Sequence, residues 1–138
     1  MISNIGREIQ KCQHLLRVSI DKRLRGVNLT APQYEVLAAL SDEPGLSGAA
    51  LARRCFVTPQ TMTGIIANLL RAGLIAREPH IEHGRILQTR LTLRGMDVLR
   101  QARRAVEEVE ERMVAELDRA EREALADLLA QCARALES

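Results

Sequence analysis

Aromatic side chains are nearly absent: one Phe, one Tyr and no Trp in 138 residues. A core without rings must be filled by Leu, Ile, Val, Ala and Met, and a hydrophobic content of 46% is enough for that. A composition this poor in strand-favouring residues points to a mostly helical fold. Cysteine is scarce and odd in number. Cys12, Cys55 and Cys132 lie far apart, and no Cys-x-x-Cys occurs. That excludes a disulfide framework and a zinc ribbon. No apolar run reaches the ~20 residues that span a bilayer. The opening MISNIGREIQKC lacks the apolar stretch of a signal peptide. The expectation is a soluble, cytoplasmic protein with no membrane partner. Catalytic motifs are missing too: no Gly-rich phosphate loop, His-Glu-x-x-His or Gly-x-Ser-x-Gly is present. The chain is not expected to be an enzyme, to need a cofactor or to hold a metal.

Charge is present, and it is unevenly placed. The net charge is +2, but residues 1–30 carry +4, residues 31–95 carry +2 and residues 96–138 carry −4. Within 53–94 there are seven Arg against two Glu. An Arg-rich middle beside an acidic C-terminal third suits a middle segment that meets a polyanion such as DNA. Charge alone fits ordinary solvated helix faces equally well.

Periodicity then divides the chain. Ile5, Ile9, Cys12, Leu16 and Ile20 recur every three or four residues and predict a long amphipathic helix from Ser3 to about Arg25. Thr30 and Pro32 open a second helix, and Ser41–Gly45 is a loop. Ser47 caps a short Ala-rich helix. Thr58-Pro59 starts the next, with Met62, Ile65, Ile66, Leu69 and Leu70 as its apolar stripe and Gly73 at its end. LIARE and ILQTRLT alternate around the polar tip HIEHGR and predict a β-hairpin. A long helix follows from Arg94 to Leu117, and a last helix begins near Asp118.

A short helix, a tight connection, a capped helix and a hairpin make a winged helix-turn-helix. The fold class is mainly α with a small β-hairpin wing. The second helix of such a pair fits a major groove about 12 Å wide. Here its outward side offers Gln60, Thr61, Thr63, Gly64, Ala67, Asn68 and Arg71. A groove-entering face must be slim and must offer neutral donors and acceptors to base edges. Arginines belong at its margins, against phosphates, and Arg53, Arg54, Arg71, Arg77, Arg85, Arg90 and Arg94 surround it in sequence. Thr58, at the helix entry, joins the candidate DNA-contact set.

LTAPQYEVLAAL, GAALARRCFVTPQTMTGIIANLLRAGLIAR and HGRILQTRLTLRG together resemble the MarR family of bacterial transcription regulators. The motifs cover Leu29 to Gly95, and the layout covers nearly the whole chain. The resemblance implies three parts: an N-terminal dimerisation helix at 1–28, a DNA-binding lobe at 29–95 and C-terminal dimerisation helices at 96–138. It further implies a homodimer on a pseudo-palindromic duplex operator, usually as a repressor. Release by a small aromatic or phenolic effector is implied too, with His14, Arg17 and Tyr34 as the polar candidates for that site. Two departures stand out. Gly64 occupies a position where many members carry arginine. His83-Gly84-Arg85 stands where members commonly show Asp-x-Arg, so Arg85 matches the wing arginine expected in or beside the minor groove.

Rival readings keep the scaffold and change the trigger. His80, Glu82 and His83 hold three ligand types in four residues, but a wing tip is exposed and a closed site needs four ligands. Residues 94–138 contain no His. Cys12 and Cys132 lie on apolar stripes, where packing explains them. Cys55 follows Arg53-Arg54 and precedes Phe56 in a position expected to face the interior. A helical interaction protein that no longer binds DNA is the remaining alternative.

Overall fold

The computed structural model describes residues 4–137. Helix α1 spans Ile5–Leu24 and closes with a 3-10 turn at Arg25–Val27. The start expected at Ser3 lies outside the described residues. Helix α2 (Ala31–Asp42) begins with a reciprocal cap. Thr30 Oγ accepts from the Gln33 amide at 3.3 Å, and Gln33 Oε1 accepts from the Thr30 amide at 3.0 Å. Asp21 of α1 accepts the Ala31 N–H at 2.7 Å and so ties the first helix to the start of the second.

Helix α3 (Gly48–Arg54) is capped by Ser47, and helix α4 (Pro59–Arg71) by Thr58. The chain leaves α4 through Gly73 at φ 74°, a left-handed geometry that glycine adopts without a Cβ penalty. Strands β1 (Ile75–Pro79) and β2 (Leu87–Leu91) then pair antiparallel, with Arg77 opposite Thr89. Leu46 adds one bridge to Thr89 from the far side of β2. A single pair leaves no periodicity, so the sequence shows only a loop ending there.

Helix α5 (Leu93–Met113) stops four residues earlier than the apolar spacing suggests. Asp118 and Glu121 form a second reciprocal cap and restart the chain as α6 (Arg119–Leu136), which leaves 114–117 as the turn between them.

The core lies under α4. Leu24, Val36, Leu37, Leu40, Leu51, Met62 and Leu69 are all 0–1% exposed, and Leu99, Ala102 and Val106 of α5 join them. Helix α1 lies along α5, held at the rim by the Arg23–Glu108 ion pair and by Arg112 donating to Ser19 Oγ at 3.2 Å. Such exposed contacts are worth about 1 kcal/mol or less.

Helix α6 buries none of its residues. Its stripe stands open, with Leu128 at 58%, Leu129 at 46% and Leu136 at 85% exposure. Ile5, Ile9, Leu15 and Val18 of α1 are open as well. Cys12 and Cys132 share these faces and are exposed in the single chain.

Cys55, in the position expected to face the interior, is half-buried against the core. Phe56, which follows it, is 95% exposed. It sits in the turn from α3 to α4 at φ 56°, and its N–H returns to the Arg53 carbonyl at 3.3 Å. The tight turn fixes the backbone, and the left-handed residue projects its side chain outward.

Candidate nucleic-acid interface

Helix α4 is sharply two-sided. Met62, Ile66 and Leu69 are buried at 1%, 4% and 0%, while Gln60, Thr61, Thr63, Gly64, Ala67, Asn68 and Arg71 face solvent. Thr58 Oγ accepts from the Thr61 N–H at 3.1 Å and donates to Thr61 Oγ at 3.0 Å. That pair satisfies an orphan amide of the first turn and orients both hydroxyls. Thr63 donates back to the Pro59 carbonyl at 3.0 Å, and its hydroxyl oxygen can still accept. Asn68 Oδ1 accepts from Arg71 Nη2. Gln60 has no side-chain partner among the described residues.

Gly64 lies in the middle of this face, and a Cβ built there meets nothing within 4 Å. Glycine inside a helix costs roughly 0.5–1 kcal/mol relative to alanine. The chain's own packing therefore gives no reason for it.

The arginines separate into two groups. Arg54 is held by Asp42 at 2.9 Å and Glu43 at 3.0 Å, and Arg90 by Glu78 at 2.6 Å. Arg77 donates from Nε to Thr89 Oγ1 at 3.1 Å. Arg53, Arg85 and Arg94 are exposed and make no ion pair among the described residues. Arg53 flanks the entry to α4, and Arg85 lies in the loop between β1 and β2.

The wing loop carries its own brace. His80 Nδ1 accepts the N–H groups of Glu82 at 3.0 Å and His83 at 3.2 Å, which requires that nitrogen to be unprotonated. The His80 amide donates to the Ile86 carbonyl at 2.8 Å. No cluster of three or more His, Cys, Asp or Glu placed to hold a metal occurs among the described residues.

The expected effector residues do not form one cluster. Tyr34 lies beside Arg103 of α5. Partial burial raises its phenol pKa above the ordinary value; Arg103 opposes that shift, and Glu110 and Glu107 add to it. Arg103 also lines a groove of about 380 Å³ with Arg100, Arg104, Glu107 and Ser41 beside the apolar Leu91, Met96 and Leu99. Sequence reasoning missed these arginines, because arginines spaced along an acidic helix read as a solvated face. Arg17 is nearer Glu35, whose carboxyl is raised by burial and lowered by Arg17. His14 is exposed on α1. Cys55 is half-buried against the core; burial raises its thiol pKa and so disfavours the reactive thiolate, Glu35 raises it further, and Arg54 opposes.

A capped helix with one slim neutral face, braced by α3 and followed by a two-stranded wing, defines a winged helix-turn-helix protein. Residues 27–86 match the model of the MarR family. The HTH-type transcriptional repressor Rv2887 of Mycobacterium tuberculosis is 35% identical over 113 residues, covering 82% of this chain and 81% of that protein. The crystal structure of that protein in complex with DNA superposes with a TM-score of 0.81 at 30% identity, covering 95% of this chain and 98% of the other. Its complex with salicylic acid gives 0.78 at 31% identity, covering 95% and 97%. The chain belongs to the MarR family.

Proposed function

We propose that the protein is a homodimeric repressor that reads duplex DNA with α4, grips it with the wing and releases it when a small aromatic acid binds. The observation that carries this reading is the exposed face of α4. It is small, uncharged at its centre and rich in amide and hydroxyl groups, and it stands between the unpaired Arg53 and the wing's Arg85. The relative Rv2887, solved in complex with DNA, supports it. Gln60, Thr61, Thr63 and Asn68 take the base edges, while Arg53, Arg85 and the free donors of Arg71 take phosphates or the adjacent minor groove. The unpartnered leucines of α6 and the open face of α1 supply the dimer contact. Two recognition helices then meet half-sites about 34–36 Å apart.

An acid effector suits the groove lined by Arg103, the arginine that also meets Tyr34. Arg103 and Arg104 supply cations for a carboxylate beside Glu107, Arg100 being held by Asp97 at 3.0 Å, and Leu91, Met96 and Leu99 supply apolar lining for a ring. The salicylate complex of the relative supports that chemistry.

Selection of bound sequences from a random duplex pool tests the whole reading. A pseudo-palindrome is the expected result, and no enrichment would sink it. With the operator in hand, two arms separate the contacts. Arg85→Ala should weaken binding to every duplex and flatten the salt dependence, because each phosphate contact contributes about 0.9 to the slope of log K against log salt. Gln60→Ala should relax preference at particular base pairs, by about 1–3 kcal/mol at each affected position. Equal losses on all sequences would rule out base readout by Gln60.

Gly64→Ala makes a separate test. It should stabilise the free protein by roughly 0.5–1 kcal/mol and weaken operator binding, because the added methyl stands between the helix and the bases. A melting curve and a binding curve on one preparation read both. Unchanged affinity would mean that α4 does not approach the bases closely.

A further inference from the structure

Thr89 is the one buried polar residue among those described, at 0% exposure. Its backbone is taken up on the side away from β1. Its N–H donates to the Leu46 carbonyl, and its carbonyl accepts from the Gly45 N–H, both at 3.0 Å. Arg77 is its direct partner across the hairpin. With Thr89's backbone groups turned outward, the two form a non-hydrogen-bonded pair, the geometry in which cross-strand side chains come closest. Arg77 Nε closes that contact on Thr89 Oγ1 at 3.1 Å. The guanidinium then reaches the start of α3, where a Cβ on Gly48 would lie 3.3 Å from Arg77 Nη2 and 3.6 Å from Ile66 Cδ1 of α4. Glycine at 48 leaves room for that arginine, at a point where the wing root, α3 and α4 converge.

We infer that Arg77 is a positioning residue: it sets the angle of the wing against α3 and α4 and acts on DNA through Arg85. The inference rests on the DNA-binding reading above. A two-stranded hairpin is marginal on its own, so its direction must come from contacts at its root. At the strand ends nearest α5 the buried Leu74 and Ile75 and the Thr92 N–H on the Leu74 carbonyl anchor the hairpin, and farther toward the tip it is held by the Leu46–Thr89 bridge and the Arg77–Thr89–Gly48 junction. Arg85 is four residues beyond Thr89, about 13 Å at strand rise. A root rotation of roughly 10° moves it by about 2 Å, enough to break a hydrogen bond.

The test uses the full-length protein and its selected operator. Arg77→Lys keeps the charge and loses the Nε donor. Thr89→Val keeps the arginine and removes its acceptor, and Thr89→Ser keeps the hydroxyl and controls for folding. Arg77→Lys and Thr89→Val are each expected to lower affinity about tenfold, the ordinary worth of one charge-assisted hydrogen bond. The slope of log K against log salt stays unchanged in both, and Thr89→Ser binds like the wild type. In an Arg85→Ala background the loss from Arg77→Lys shrinks to near unity, because two residues acting through one contact are not additive. Hydrogen exchange in the DNA-free protein should quicken at residues 80–86 in both variants while the melting temperature holds. Three results overturn the inference: Arg77→Lys binding like the wild type, Thr89→Val without effect, or losses from Arg77→Lys and Arg85→Ala that multiply. A wild type that binds no duplex overturns the DNA-binding reading, whereas a wild type that binds, with exchange at 80–86 unaltered in the two variants, overturns only the role of Arg77.

Discussion

Leu128→Asp combined with Leu129→Asp should leave a protein that sediments as one chain and binds its operator at least about a hundredfold more weakly, because joining two half-site modules multiplies affinity by 10²–10⁴. The two leucines are 58% and 46% exposed on a helix that buries nothing in its own chain. Each buried leucine is worth roughly 1.5–3 kcal/mol, and a carboxylate forced into the same contact costs several more. Repeated on both subunits of a symmetric contact, the change outweighs the association energy. Sedimentation and gel-shift titration on the same samples read both effects. The wild-type melting temperature should also rise with protein concentration, as for any fold completed by its partner. Dimers that survive both aspartates would place the contact elsewhere.

Gly95→Ala should be the most damaging single methyl in the lobe. A Cβ at that position would lie 2.0 Å from the Leu74 carbonyl oxygen and 3.0 Å from its carbon. That oxygen already accepts the Thr92 N–H at 3.1 Å. Thr92 Oγ in turn donates to the Gly73 carbonyl at 2.7 Å and accepts the Gly95 N–H at 3.0 Å. The start of α5 is thus bolted to the end of α4 and the start of β1, and backbone cannot rotate aside as a side chain can. The expected cost is about 3 kcal/mol, read as a fall of about 1–2 M in the urea midpoint. A midpoint within experimental scatter of the wild type would show that α5 slides freely. The same substitution at Gly64 is expected to stabilise. One glycine makes room for this chain's own backbone, and the other faces open space.

That contrast marks how much was legible beforehand. Both glycines are visible in the sequence, one in the LT-x-x-G ending of the wing and one in the middle of a helix. Only the distance to Leu74 O distinguishes them. The caps were readable because they are local. Thr30, Ser47 and Thr58 each act on an amide three residues away, and the apolar period of α4 names the buried side directly. Phe56 is exposed despite its apolar ring, because hydrophobicity predicts burial only on average and a left-handed turn residue points where its backbone sends it. The arginines looked equivalent along the chain. Arg54 proved to be held by Asp42 and Glu43, more than ten residues away, and Arg77 by Thr89, while Arg53 and Arg85 were left unpaired. Tyr34 was singled out as an effector residue, but its neighbour Arg103 is brought to it only by the packing of α2 against α5.

The sequence by itself determined the element order, the helix starts, the apolar face of α4 and the slim neutral face opposite it. Those follow from i, i+3 and i+4 relations, which the chain carries wherever it folds. The tertiary structure decided which arginines are spent inside the molecule, which glycine is structural, and that α1 and α6 keep apolar faces with no cover of their own. Those depend on groups far apart in sequence whose meeting is set by how the helices pack, and no local pattern encodes it.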